Sequence, residues 1–246
     1  MYAQFRYLPA GDSALVVELG NEIDPVINQT IRGLVLTLQQ QTIPGIREYV
    51  PTYRSLMILY DPAVLWFDDL IEQVKKVESR LEAVSLPEPK ILEVPVAYGG
   101  EFGPDLDFVA EHTHLSVEKV IALHTGRDYL VYMLGFTPGF CYLGGLSEQL
   151  ETPRLATPRT KIPAGSVGIA GKQTGVYPID SPGGWQLIGR TPLCLFDPQR
   201  DPAVLITAGD YVRFVQIDEP TYHQLAEQVQ RGELTIQTVS SHLITG

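Results

Sequence analysis

Hydrophobic and polar positions in the first third of the chain alternate in two short runs and then recur at helical spacing. Residues 4–8 and 13–18 alternate, which predicts two strands. Asp24 before Pro25 is typical of a helix start, because proline fits the first helical position. Apolar residues then recur three or four positions apart, as on one helix face: Ile27, Ile31, Leu34 and Leu38. The pattern predicts a helix that Pro44 ends.

The same order of patterns is repeated before a proline-marked linker. Residues 46–50 and 54–60 predict two more strands, and a second helix is predicted over residues 67–84. Its buried face is formed by apolar residues at helical spacing: Leu70, Val74, Val77, Leu81 and Val84. The two prolines in 87–89 then stop both helix and strand pairing, which predicts a linker. We therefore expect a small α/β domain over residues 1–88.

The second predicted domain, residues 89–246, has short apolar runs separated by turn residues. Residues 134–192 hold half of the chain's 22 glycines. This density of turns predicts many short strands and a closed or nearly closed β-barrel. The other predicted elements are a strand at 91–96, helices at 105–112 and 116–124, a strand at 210–217 and a helix at 219–231. The fold class is therefore α+β.

Charge and composition narrow the classes of partner. The formal net charge of −11 disfavours nucleic acid and anionic membranes, which reward clustered Lys and Arg. No apolar stretch is long enough to span a membrane, and the N-terminus lacks the pattern of a secretory leader, so we expect a cytoplasmic protein. Within 134–192 five basic residues stand against three acidic ones, and a locally basic region in an acidic protein suits a small anionic ligand.

Several motifs in the glycine-rich region suggest chemistry that their residues do not support. The string GSVGIAGKQ resembles a phosphate-binding loop, but Gln173 stands where a magnesium-binding Ser or Thr is needed. Ser166 lies in AGSVG, an imperfect nucleophile elbow. Cys141 could act as a nucleophile, but we expect it to be a small buried hydrophobic residue. His124 is chemically suited to act as a general base, with a structural role at a helix end as the alternative. The histidine spacing predicts no metal site.

Three dense strings carry a family resemblance: GFTPGFCYLGGL (135–146), TPRTKIPAGSVGIAG (157–171) and SPGGWQLIGRTP (181–192). Together with the opening RYLPAGDSAL they resemble the allophanate hydrolase subunit 1 family, and the match extends along essentially the full chain. The resemblance implies an N-terminal ferredoxin-like α/β domain and a C-terminal cyclophilin-like β-barrel.

The family includes a component of 5-oxoprolinase, so the resemblance also implies a heteromeric enzyme. In that enzyme a large A subunit performs ATP-dependent chemistry, and the B and C subunits complete the conversion of 5-oxo-L-proline to L-glutamate. A chain of this kind is expected to work only with the A and C subunits and to bind no cofactor itself, with ATP used by the partner.

Side chains of the glycine-rich region are the candidates for binding that substrate. Aromatic residues could wall a pocket: Phe136, Phe140, Tyr142 and Trp185. Arg159 and Arg190 suit a carboxylate, and Gln173 and Tyr177 could bond a ring amide. We also expect Ser166 to be a substrate-binding residue. Architectural roles remain the alternative for each of them.

The family resemblance leaves other functions open. One branch inhibits the autophosphorylation of a sporulation histidine kinase, which would make such a kinase the partner. The family name also suggests a urea- or allophanate-handling component. Proline isomerisation follows only from the cyclophilin-like fold, and fold alone does not fix function.

Overall fold

The computed structural model describes residues 1–81, 85–233 and 238–240. Its contacts divide the chain into two compact units, Met1–Glu88 and Pro89–Gly246. Within the described residues, no helix combines the length and apolar character needed to cross a bilayer.

The first unit contains a four-stranded antiparallel sheet. Its strands are β1 (Arg6–Pro9), β2 (Ala14–Glu18), β3 (Ile46–Pro51) and β4 (Ser55–Tyr60), in the order β1-β2-β4-β3. The inward residues of β2 and β4 are fully buried, as the alternating pattern predicts. The ferredoxin-like fold has the element order βαββαβ. Here β2, α1, β3, β4 and α2 follow the first five elements of that order, and the remaining strand, β1, comes before them in the chain.

Two helices complete this unit, α1 (Pro25–Gln41) and α2 (Phe67–Glu78). Asp24 begins α1 because its Oδ1 accepts hydrogen bonds from the backbone N–H groups of Val26 and Ile27. The predicted apolar stripe of α1 is confirmed, since all four of its residues are buried in the core of the sheet. Helix α2 is shorter than predicted. Leu81 packs on the same core after the helix has ended, so apolar spacing alone overstates the helix; Val84 lies outside the described residues.

The second unit is built on a nearly closed sheet of short strands. The strands are β5 (Lys90–Tyr98), β6 (Asp128–Leu134), β7 (Cys141–Gly144), β9 (Ser166–Ala170), β10 (Gln173–Val176), β12 (Gln186–Arg190), β13 (Tyr211–Ile217) and β14 (Thr238–Ser240). The main path of the sheet is β10-β9-β12-β5-β13-β6-β7, and β14 also pairs with β5. The end strands β10 and β7 lie against each other, which almost closes the barrel.

In the described part of this unit, three α-helices and a two-stranded ribbon accompany the barrel. The helices are α3 (Leu106–Thr113), α4 (Val117–Thr125) and α5 (Glu219–Gln230), and the ribbon pairs β8 (Arg159–Ile162) with β11 (Ser181–Gly183). The predicted cap of α4 is confirmed: Ser116 Oγ accepts a hydrogen bond from Lys119 N. All five residues of β9 are buried, because Val167 belongs to the barrel core and Ala170 to an aromatic cluster outside it.

Candidate functional site

A cluster of aromatic rings lies outside the barrel core, and Phe140 is at its centre. Its ring centroid is 5.2 Å from that of Tyr142, 5.4 Å from Phe136, and 5.8 Å from both Tyr177 and Trp185, with edge-to-face geometry throughout. Edge-to-face pairs at these distances are mutually stabilising. The cluster therefore forms a preorganised wall.

These rings border an open cavity of about 360 Å³. Its lining residues are Phe136, Phe140, Tyr142, Arg154, Pro158, Tyr177, Pro182, Gly183, Gly184 and Trp185. The predicted aromatic residues are thus brought together, and Tyr177 joins them. A mostly apolar concavity with few polar groups is typical of a small-molecule site. We call it the aromatic pocket.

Gly183 allows the ribbon to approach the pocket wall. A side-chain carbon at this position would collide with the hydroxyl of Tyr177 and would lie 2.7 Å from Ile162 Cδ1. At Gly184 the same addition would meet only ordinary contacts of 3.6 Å or more. Any side chain at Gly183 would therefore force Tyr177 or Ile162 to shift.

Arg159 does not line the aromatic pocket but supports its wall. Its Nη2 lies 2.7 Å from Asp105 Oδ1, and its Nη1 donates to the backbone oxygen of Trp185 at 3.3 Å. Asp105 Oδ2 accepts a hydrogen bond from Leu187 N at 2.6 Å. One carboxylate thereby ties β8 to the strand that follows Trp185. This geometry favours a positioning role for Arg159 over the substrate-binding role predicted from sequence.

Tyr177 places its hydroxyl beside the ribbon. Burial raises the pKa of Tyr177, while a hydrogen bond with the Trp185 backbone and the charges of Arg154 and Arg159 oppose that shift. The hydroxyl is therefore protonated at neutral pH and is available as a neutral hydrogen-bonding group.

His124 lies apart from the aromatic pocket, fully buried in the barrel. Its Nδ1 and Nε2 are each 2.8 Å from a hydroxyl, those of Tyr98 and Thr174. The Thr174 hydroxyl donates its proton to Gly168 O, so it must accept a hydrogen bond from His124 Nε2. The neutral ring therefore carries its proton on Nε2, and His124 Nδ1 accepts a hydrogen bond from the Tyr98 hydroxyl. Burial lowers the pKa of His124 to about 3. These partners and this burial argue against the general base predicted from sequence and favour the structural alternative.

Three other predicted residues also lie outside the pocket lining. Ser166 is fully buried and stands opposite Arg190 in the β9–β12 pairing. Within the described part of the chain, the Ser166 hydroxyl and Arg190 Nε have no hydrogen-bond partner. The Arg190 side chain does form a hydrogen bond with Tyr222. Gln173 is half-buried at the start of β10. The structure therefore does not bring these three residues to the aromatic rings.

Cys141 is buried at the start of β7. Burial raises the pKa of its thiol to about 12, so the nucleophilic thiolate is not formed at neutral pH. Its side chain is part of the hydrophobic core of the barrel.

Comparison with known proteins identifies the family. A family model described as "Carboxyltransferase domain, subdomain C and D" matches residues 5–206. The chain belongs to this family. The resemblance found in the glycine-rich strings is confirmed by curated relatives: the chain is 46% identical over 238 residues to the 5-oxoprolinase B subunit of Bacillus subtilis, covering 93% of this chain and 99% of the relative.

Two further relatives bear on the function and the fold. The 5-oxoprolinase B subunit of Escherichia coli is 47% identical over 208 residues, which cover 83% of this chain and 93% of that protein. The crystal structure of the K. lactis urea amidolyase matches 96% of this chain with a TM-score of 0.78 and 24% identity. This chain covers 16% of that larger protein, so this likeness concerns the fold alone.

Proposed function

We propose that this chain is the B subunit of a 5-oxoprolinase, a non-ATPase component of an ATP-dependent hydrolase that converts 5-oxo-L-proline to L-glutamate. The observation that carries the proposal is identity of 46% along 99% of a curated protein of that name. The urea-handling alternative is supported more weakly: the urea amidolyase of Lachancea kluyveri is 28% identical, and this chain covers only 14% of that protein.

The chain acts together with an A subunit that uses ATP and with a C subunit, and by itself it is inactive and binds no cofactor. Its place of action is the cytoplasm. The decisive test is reconstitution of the three subunits from the source organism, followed by measurement of ATP-dependent glutamate release. We expect release from the complete set only. Undiminished release without this chain would refute the proposal.

The aromatic pocket is where we place 5-oxo-L-proline. The five-membered lactam is small enough for a cavity of about 360 Å³, and its ring carbons can contact the faces and edges of the aromatic wall. The two tryptophans of the chain provide a matched test. Trp185→Leu should raise the KM for 5-oxoproline, whereas Trp66→Leu, in the other unit and 75% exposed, should leave KM unchanged.

The same preparations distinguish the kinase-inhibitor alternative. On that alternative the isolated chain would slow histidine kinase autophosphorylation, and the A and C subunits would be dispensable. On our proposal the isolated chain leaves autophosphorylation unaltered.

The finer fold assignment belongs to the same proposal. We assign the first unit to a ferredoxin-like fold in which β1 occupies the sheet edge beside β2, the edge that the last strand takes in the order βαββαβ. The barrel of the second unit is assigned as cyclophilin-like. A permuted first unit that begins at β2 and carries β1 after α2 should fold with the same helix content by circular dichroism; an unfolded permutant would contradict the first assignment.

A further inference from the structure

Among the described residues, the lining of the aromatic pocket contains one basic residue, Arg154. Within the described part of the chain, the Arg154 side chain forms no ion pair and no hydrogen bond, and it is exposed at the pocket mouth. The described lining residues include no carboxylate that could neutralise it. An arginine fork without an internal partner, beside an apolar concavity, is suited to the carboxylate of a ligand.

The other basic side chains of the region each contact a partner within the chain, and none of them lines the pocket. Arg159 binds Asp105, and Lys161 lies 2.8 Å from Asp180. Arg190 bonds Tyr222 and does not line the pocket. Lys172 faces Glu148 and Glu151, each at 3.9 Å. Of the basic groups among the described residues of this region, Arg154 is therefore the one placed to meet a pocket ligand.

The neighbourhood of Tyr177 supports this placement. The charge of Arg154 acts on the Tyr177 hydroxyl, so the guanidinium lies within electrostatic reach of the pocket wall. A lactam carboxylate has its anionic group and its ring amide on one small ring. A ligand of this shape could bond Arg154 with its carboxylate and Tyr177 with its amide.

We infer that Arg154 is the specificity-determining residue of the aromatic pocket and binds the carboxylate of the lactam substrate. The inference rests on the proposed function. It replaces Arg159, which the sequence favours, with a residue that sequence analysis does not single out.

The test compares the reconstituted wild-type complex with Arg154→Ala and Arg154→Lys. Arg154→Ala should raise the KM for 5-oxo-L-proline about tenfold to hundredfold, the range expected for losing charge-assisted hydrogen bonds to a carboxylate, with a small effect on kcat. The KM of Arg154→Lys should lie between those of the wild type and Arg154→Ala, because lysine keeps the charge and loses the bidentate guanidinium. Arg231→Ala, which removes an exposed arginine of the same unit outside the pocket, is the control.

A neutral analogue separates carboxylate recognition from damage to the pocket. 2-Pyrrolidinone keeps the lactam ring and lacks the carboxylate, so its inhibition constant should be the same for wild type and Arg154→Ala. Equal weakening of both ligands, or an unchanged KM for 5-oxoproline, would overturn the inference. Dissociation of the Arg154→Ala complex on size exclusion would also overturn it, because Arg154 would then bind one of the other two subunits.

Failure of the proposed function gives a different result. If the wild-type complex releases no glutamate, the proposed function is wrong. The role of Arg154 is then tested by titrating 5-oxoproline and 2-pyrrolidinone into the isolated chain while following Trp185 fluorescence. Preference for 5-oxoproline over 2-pyrrolidinone that disappears in Arg154→Ala would support the carboxylate site without the enzyme. Equal responses to both compounds would refute it.

Discussion

Asp105 and Arg159 are 54 positions apart in the sequence and form an ion pair of 2.7 Å beside the backbone of Trp185, a residue that lines the aromatic pocket. The Arg159 side chain is 30% exposed and that of Asp105 is 13% exposed, so the pair is only partly screened by water. Asp105 also accepts from Leu187 N. The pair therefore links the residue just before α3, the ribbon and strand β12, and it fixes the backbone beside Trp185.

Removing the charge of Asp105 should loosen this link. Asp105→Asn keeps an oxygen for Leu187 N but loses the ion pair, and we expect a loss of about 1–2 kcal/mol in the free energy of unfolding. Chemical denaturation followed by Trp185 fluorescence, in a Trp66→Phe background, measures this loss for the second unit. Asp107→Asn, at an exposed position on α3, is the matched control. Equal stability of the two variants would contradict the positioning role.

Sequence analysis could predict much of the fold but only part of the site. The α1 stripe and the Ser116 cap are local patterns, so neighbouring residues suffice to reveal them. Asp105 and Arg159 meet only through tertiary folding, and no spacing rule relates residues 54 positions apart. Arg154 resembles any exposed arginine until the pocket is assembled around it.

His124 is a residue whose type suggests a catalytic role that its surroundings in the fold do not support. Its residue type suits catalysis, and sequence does not reveal that both ring nitrogens bond buried hydroxyls. Burial, which is a property of the whole barrel, favours the structural role. The clustering of the aromatic residues can be predicted from sequence, because several large rings in one turn-rich region bury their surface best by packing together.

Gly183 should be intolerant of a side chain. In Gly183→Ala the new carbon would press on Tyr177 and Ile162, and overpacking of this kind costs about 1–3 kcal/mol. The displaced ribbon should also weaken ligand binding in the pocket. Gly184→Ala is the control for stability, because its contacts would be ordinary. Thermal unfolding of both variants decides the point, and a Gly183→Ala protein as stable as the control would show that the ribbon adjusts freely.

The first unit should fold without the second. The hydrophobic core of Met1–Glu88 is formed by its own strands and helices. Among the described residues of that unit, thirteen are buried in this core: Leu15, Val17, Leu19, Ile27, Ile31, Leu34, Leu38, Leu56, Ile58, Tyr60, Leu70, Val74 and Val77. We expect a fragment of residues 1–88 to unfold cooperatively with denaturant. Limited proteolysis of the whole chain should cut first near 87–90. A fragment without a cooperative transition, or first cleavage inside α1, would argue against an independent domain.

The buried His124 should make the stability of the second unit depend on pH in a predictable direction. Burial lowers the pKa of His124 from the usual 6.5 to about 3, so the folded protein keeps the ring neutral where an unfolded chain would protonate it. Above pH 6.5 the ring is neutral in both states and contributes no pH dependence. Between pH 6.5 and 3 the unfolded state binds one more proton, so stability falls as the pH falls, by at most about 1.4 kcal/mol per pH unit.

A variant that cannot titrate isolates this contribution. Gln at position 124 can accept from Tyr98 and donate to Thr174 without binding a proton. Between pH 7 and pH 5, the wild type should therefore lose about 2 kcal/mol more than His124→Gln, whatever the stability of the variant at pH 7. Denaturant unfolding of both proteins at each pH, read from Trp185 in the Trp66→Phe background, gives this difference. His112→Gln, which makes the same replacement at an exposed position on α3, is the matched control. If His124→Gln lost stability as steeply as the wild type, the histidine would be protonated in the folded barrel, and its general-base role would have to be considered again.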